Sequence, residues 1–225
     1  MVVVYAAASL TGVLDSAAVA YRETAGIRVV VRTGASGMLA REIQNGAPAD
    51  IFVSADEAWV KALQEEDRIE PGTSRVVAWN TLVVAVPRDA EMIPKSWGKA
   101  LSLDRFVIAD PQTAPAGKYA RDALVRMALW EAIEPRCVLA YDVRAALALV
   151  ERGEVAAGIV YGSDVEASER VTVAFPMPEG SYDPVVYVGA VLRGASDPER
   201  ARAFLEFLSG APGKAILRAH GFAGA

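Results

Sequence analysis

The feature that most constrains this chain is its rhythm: short runs of β-branched and small apolar residues alternate with stretches of helical periodicity, and the alternation occurs twice. Val2–Ala6 reads as a strand, and Leu10, Val13, Leu14, Ala17, Ala18 and Tyr21 then fall at helical spacing over 10–24. Ile27–Val31 predicts a second strand, 38–45 a short helix stopped by Gly46, and 50–55 a third strand. Asp56 can cap the next helix, which carries Trp59, Val60 and Leu63. This β-α-β-α-β order predicts a parallel sheet, because crossover helices join parallel strands.

Residues 76–87 (VVAWNTLVVAVP) break the rhythm with one extended stretch longer than the ~5–6 residues of an average strand. A second set follows: strands at 106–109, 137–141 and 157–161, helices at 119–132 and 143–152, and a further strand at 171–175. A second long extended stretch (PVVYVGAVL, 184–192) precedes closing helices at 198–208 and 212–220. Two long extended segments predict two crossings between two α/β lobes, each a mixed, mostly parallel sheet flanked by helices. The first lobe is expected from 1–79 with 182–225 and the second from 80–181. A chain organised in this way invites a ligand cleft between its lobes.

Composition narrows the function. With 53% hydrophobic and 23% charged residues in 225, the chain can build packed cores. A formal charge of −5 argues against a nucleic-acid binder, which needs a basic face. One Cys excludes an internal disulfide, and one Cys with one His excludes a thiol–imidazole zinc site. Cys137 opens an apolar strand and reads as an inert thiol. His220 reads as a helix-end residue near carbonyls, and Trp59, Trp79, Trp97 and Trp130 as packing residues. No apolar run reaches the ~20 residues of a membrane span. No basic n-region or cleavage site precedes the first strand, which is compatible with a start that replaces a leader. Phosphate cradles of the GxxxxGK[ST] and GxGxxG kinds are absent, and GASG at 34–37 is not a GxSxG elbow because residue 38 is Met. No catalytic set assembles, so an enzyme is not expected.

The strand-to-helix turns carry the remaining signal. Ser9 and Ser36 each stand where a helix starts, and first-turn N–H groups together with the helix dipole favour an anion there. Either serine could equally be an ordinary N-cap. In the second set, residues 110–117 shape a turn that exposes the N–H groups of Ala116 and Gly117. Asp142 can cap a helix whose first-turn donors are Val143 and Arg144, and Tyr161 ends a strand with one phenolic donor. Arg144 and Lys118 read as helix-start charges facing solvent. Asp50 reads as a turn or hinge residue.

Taken in order, AAASL (6–10), GASG (34–37), GAPADIFVSAD (46–56), DPQTAPAGKYARDAL (110–124), DVRAALALVERGE (142–154) and AGIVYGSD (157–164) resemble the periplasmic molybdate-binding proteins of ABC importers. The likeness runs over nearly the whole chain. It implies a two-lobed type II periplasmic binding protein that closes on its ligand, molybdate or tungstate. The implied partner is the membrane permease of an ATP-driven importer, and the implied location is the periplasm. By motif, the oxyanion would be held by Ser9, Ser36, the N–H groups of Ala116 and Val143, and the hydroxyl of Tyr161. Those groups touch oxygens, so no protein ligand to the metal atom and no cofactor is implied, and such proteins act as monomers.

The chemistry of those residues suits the role. Molybdate is a tetrahedral dianion without a proton at neutral pH, and a site made only of donors matches it. Hydrogen phosphate would bring a proton with no acceptor, at a cost of roughly 1–3 kcal/mol. Sulfate is similar but smaller, so a binder of another tetrahedral oxyanion such as sulfate is the alternative. Iron binders and the sensing half of a transcription regulator share the fold class. The former would need a cluster of Tyr, His or Asp ligands, and the latter a DNA-reading helix-turn-helix.

Overall fold

The computed structural model describes residues 1–223. Its elements are β1 (Val2–Ala7), α1 (Thr11–Ala25), β2 (Val29–Gly34), α2 (Ser36–Gln44), β3 (Ile51–Ser54), α3 (Glu57–Glu65), β4 (Arg75–Asn80), β5 (Leu82–Pro87), α4 (Trp97–Ala100), β6 (Phe106–Ala109), α5 (Pro115–Arg126), α6 (Trp130–Ile133), β7 (Cys137–Ala140), α7 (Val143–Glu151), β8 (Ala157–Tyr161), α8 (Gly162–Glu166), β9 (Val171–Pro176), β10 (Val185–Val191), α9 (Pro198–Ser209) and α10 (Ala211–Ala219). Turns of 3-10 helix occur at Ala8–Leu10 and Glu134–Arg136. The chain divides into two compact units. Met1–Trp79 with the segment from Val185 onward forms the first, and Asn80–Pro184 forms the second. Gly224 and Ala225, at the end of the expected first lobe, lie outside the described residues.

The first unit is built on a five-stranded sheet of order β2-β1-β3-β10-β4. β1 lies between β2 and β3 and runs parallel to both, whereas β10 pairs antiparallel with β3. A strand paired on both edges and covered on both faces needs apolar side chains on both, which is why VVVYAA reads as an unbroken run. Helices α2 and α3 cover one face through Leu39, Ala40, Ile43, Val60 and Leu63, which pack on Tyr5, Phe52, Val188 and Ala190. On α1 and α9, Tyr21 meets Phe204 edge-on at 5.1 Å.

The second unit carries a sheet of order β7-β6-β8-β5-β9. β6 is parallel to β7 and β8, and β5 is antiparallel to β8 and β9. Residues 76–87, expected as one stretch, are two strands interrupted at Thr81. The Asn80 side chain accepts the Thr81 N–H at 2.9 Å and donates to Ser163 Oγ at 2.7 Å, and the Thr81 carbonyl accepts from Gly162. These bonds turn the backbone out of its ladder.

Several expectations are corrected. The helix expected over 119–132 is two helices. Ala128 stands at φ 55°, and the N–H groups of Ala128 and Leu129 bond the carbonyls of Val125 and Leu124, closing a Schellman-type end. Trp79 is 37% exposed and so is not a core residue. Trp97 does pack, edge-on to Phe175 at 5.4 Å. His220 follows α10 as expected, but its Nε2 lies 3.1 Å from Ser16 Oγ and so pairs with a hydroxyl. Cys137 is half-buried, and desolvation pushes its thiol up to about 11, which keeps it inert at neutral pH.

Asp50 is the main polar tie of the first unit. It is 4% exposed, and its carboxylate accepts from Val3 N–H at 2.7 Å, Ser196 N–H at 2.6 Å and Ser196 Oγ at 2.9 Å. The start of β1 is thereby fastened to the loop before α9. Asp50→Ala strands these donors and is expected to lower the unfolding free energy by roughly 2–3 kcal/mol. The reading is a lower urea midpoint at unchanged slope. An unmoved midpoint would remove the tie.

Candidate functional site

Strand register sets the first half of the site. β1 and β2 pair through Ala7 opposite Gly34, so both chains leave the sheet at one edge. Ser9 follows β1 in the 3-10 turn, and Ser36 follows β2 as the first residue of α2. Thr11 Oγ1 donates to the Ala8 carbonyl at 2.7 Å and lies 3.0 Å from Thr33 Oγ1, which joins the two turns. Neither serine caps a helix through its side chain. The Ser36 hydroxyl, fully buried, accepts the Ala55 N–H at 3.3 Å, and Ser9 Oγ lies 2.7 Å from Tyr187 Oη. N-capping, the ordinary use of serine at such a place, is therefore not what these hydroxyls do.

In the second unit β7, β6 and β8 run parallel, and their carboxyl ends carry the other candidates. Carboxyl ends of parallel strands are where open α/β sheets place ligands. α5 begins with Pro115 at its first position. Gly117 and Lys118 N–H turn back on the Ala114 carbonyl, and the Ala116 N–H is left as a first-turn donor. This approach demands glycine at 117, where a Cβ would sit 2.0 Å from the Ala109 carbonyl oxygen. α7 starts at Val143, with Asp142 as its cap accepting Ala145 N–H at 2.9 Å. The Val143 N–H stands in that first turn, outside the helix ladder. Tyr161 closes β8 at 1% exposure.

The flanking charges sort themselves. Lys118 pairs with Asp122 one turn along the helix at 3.2 Å, an exposed pair worth little. Arg144 is not simply solvated: its Nη1 is 3.6 Å from Oδ1 of Asp164, an ion-pair distance too long for a hydrogen bond. Asp164 is 1% exposed, and its Oδ2 accepts the Tyr161 N–H at 3.3 Å. Burial pushes its carboxyl up to about 7, against the pull of Arg144 and of the Tyr161 N–H. Asp56 caps α3 by accepting Ala58 N–H at 2.9 Å. Among the described residues, no group of three or more His, Cys, Asp or Glu side chains is placed to hold a metal ion. No helix among them is long and apolar enough to cross a membrane.

The family model for bacterial extracellular solute-binding proteins matches residues 2–223. The chain belongs to this family. The solute-binding protein is 38% identical to the molybdate-binding protein ModA of Escherichia coli K12, over 98% of this chain and 88% of the relative. It superposes on the periplasmic molybdate-binding protein of Azotobacter vinelandii with a TM-score of 0.89, at 26% identity and 99% coverage of both chains. The sulfate-binding protein SubI of Mycobacterium tuberculosis reaches a TM-score of 0.86 at 14% identity, covering 98% of this chain and 85% of its own, and that likeness concerns the fold alone.

Sequence reasoning missed Tyr187, Ala55 and Asp164 as groups that hold the candidates. Asp164 had a signal, since a carboxylate three residues after a strand end can bond backwards to the backbone. Tyr187 had none, because it reads as one more apolar position of a buried strand. Asp164 makes a prediction about pH. Its folded-state value lies above the ~3.9 of an unfolded aspartate. Stability from its proton is complete below pH ~4 and is lost as pH rises towards 7. Asp164→Asn is expected to flatten the fall in melting temperature between about pH 4 and 7. Parallel curves for parent and variant would place that dependence on another group.

Proposed function

We propose that this solute-binding protein captures molybdate, and tungstate with it, outside the cytoplasmic membrane and delivers it to the permease of an ATP-driven importer. Ser9 and Ser36 of the first unit, and the N–H groups of Ala116 and Val143 with the Tyr161 hydroxyl of the second, are the proposed donors to the oxyanion. The units are the proposed lobes, and the ligand-bound form is favoured because the anion bonds to both. The single observation that carries the reading is that all five candidates stand at the carboxyl ends of parallel strands, with the Ser9 and Ser36 hydroxyls outside the capping role such positions usually serve. The 38% identity to the E. coli molybdate-binding protein supports the choice of anion.

The chemistry is binding without bond making. Uncharged hydroxyls and amides suit a fully deprotonated tetrahedron. Two helix N-termini in the second unit add the favourable ends of their dipoles without a counter-charge to desolvate. The net charge of −5 bears on encounter rate more than on affinity, because oriented amides set the local field.

Ser36→Ala removes one donor and is expected to weaken molybdate binding by roughly 5- to 150-fold, the equivalent of 1–3 kcal/mol, with a folded free protein whose melting temperature falls because the buried Ala55 N–H loses its acceptor. Calorimetry with unaltered affinity would take Ser36 out of the site. Side-by-side titration is expected to give tight binding of molybdate and tungstate and weak binding of sulfate and phosphate; sulfate binding as tight as molybdate would overturn the assignment. Small-angle scattering is expected to report compaction on saturation with molybdate, and identical profiles would count against closure.

A further inference from the structure

Both serine hydroxyls of the first unit have a hydrogen-bond partner within the protein, and the direction of those bonds decides where their own protons can go. A hydroxyl has one proton to give and two lone pairs to receive. Ser36 Oγ receives from the Ala55 N–H at 3.3 Å, a bond in which the backbone can only donate. Ser9 Oγ faces Tyr187 Oη at 2.7 Å, where either oxygen could donate. Once Ser9 gives its proton to an anion, the bond between the two hydroxyls persists only if Tyr187 is its donor.

Tyr187 is well placed to be that donor. β10 runs antiparallel to β3 with Val188 opposite Ser54, so Tyr187, one residue before Val188, and Ala55, one residue past the end of β3, stand at the edge where β1 and β2 also end. Val188 packs with α2 and α3, and the strand's alternation turns Tyr187 to the other face. Its ring is fully buried and meets Phe222 edge-on, with centroids 5.3 Å apart. Phenylalanine would fill the same space, whereas a buried phenol costs stability unless it is hydrogen-bonded. The hydroxyl is therefore retained for what it bonds.

We propose that Tyr187 is a positioning and specificity-determining residue that fixes the Ser9 hydroxyl as a donor, as the Ala55 N–H fixes Ser36, so that this half of the site selects oxyanions carrying no proton. The proposal rests on Ser9 and Ser36 being ligands of the oxyanion. An unfixed serine can rotate and accept a proton from hydrogen phosphate; a serine whose orientation is set by a donor behind it points its own proton at the ligand and turns its remaining lone pair away, so that it meets the proton of hydrogen phosphate head-on. Tyr187 thus acts through Ser9, favouring molybdate and excluding hydrogen phosphate.

The test compares Tyr187→Phe, Ser9→Ala and the double variant, with molybdate and inorganic phosphate as probes at neutral pH. Tyr187→Phe is expected to weaken molybdate roughly 3- to 10-fold and to weaken phosphate less, so the affinity ratio falls. A structural defect alone would weaken both alike and leave the ratio unmoved. The double variant is expected to bind molybdate no worse than Ser9→Ala, because the phenol has no serine left to orient. Phe222→Leu loosens the ring without removing the hydroxyl, and a smaller fall in the ratio is expected; it carries the test should Tyr187→Phe not fold. Additive losses in the double variant, or a ratio unchanged in both ring variants while Ser9→Ala weakens molybdate, would overturn the role of Tyr187 and leave the site standing. Full molybdate affinity in Ser9→Ala would overturn the site itself, and the role of Tyr187 with it.

Discussion

The register of parallel strands governs everything else in this protein. Parallel neighbours deliver their chains to one edge, and in both units one interior strand has a parallel partner on each side: β1 between β2 and β3, and β6 between β7 and β8. A slip of one residue would invert every side chain between core and opposite face, so the same apolar packing that stabilises the sheets fixes which turns meet. Helices starting at those turns bring first-turn N–H groups that the ladder does not use. The proposed anion site draws on that backbone geometry, with side chains adding hydroxyls in place of charges.

The electrostatics are local for the same reason. A chain of net charge −5 can hold a dianion if the field near it comes from oriented dipoles within a few ångströms. The buried carboxyl beside Tyr161, that of Asp164, is turned onto the frame: one oxygen takes the Tyr161 N–H, and the other faces the Arg144 guanidinium at 3.6 Å. Its elevated pKa follows from the same burial, since desolvation outweighs both partners. Lys118, by contrast, spends its charge on Asp122 at the surface.

Fold and candidate site were legible to different depths. The strands at 106–109 and 157–161 lie where the apolar pattern places them, because a buried strand must be apolar along its whole length. Helix ends marked by glycine, such as Gly46 at φ 89°, were legible too. The end of α5 was not, since Ala128 adopts φ 55° with no residue-type signal for it. The short α4 and α8 have too few turns to show a period. Serine posed a different difficulty: a helix-start Ser suits a cap and a ligand equally, and only the partners of its oxygen separate them. Those partners are 178 residues away for Ser9 and 19 for Ser36, separations that no local pattern encodes.

In the proposed site those distant partners bear on selectivity as well as the donors. Hydroxyls and amides alone define a polar surface, and a hydroxyl can give or take a proton as its neighbour requires. Selection for a deprotonated anion needs the hydroxyl's freedom removed, which calls for a second donor behind each serine. Such a donor must be buried, so that water cannot replace it, and rigid, so that it does not follow the serine. A backbone amide leaving β3 and a phenol locked edge-on to a phenyl ring meet both conditions. Specificity on this account is built one layer behind the contact surface, where the aromatic packing that stabilises the unit also orients a single proton.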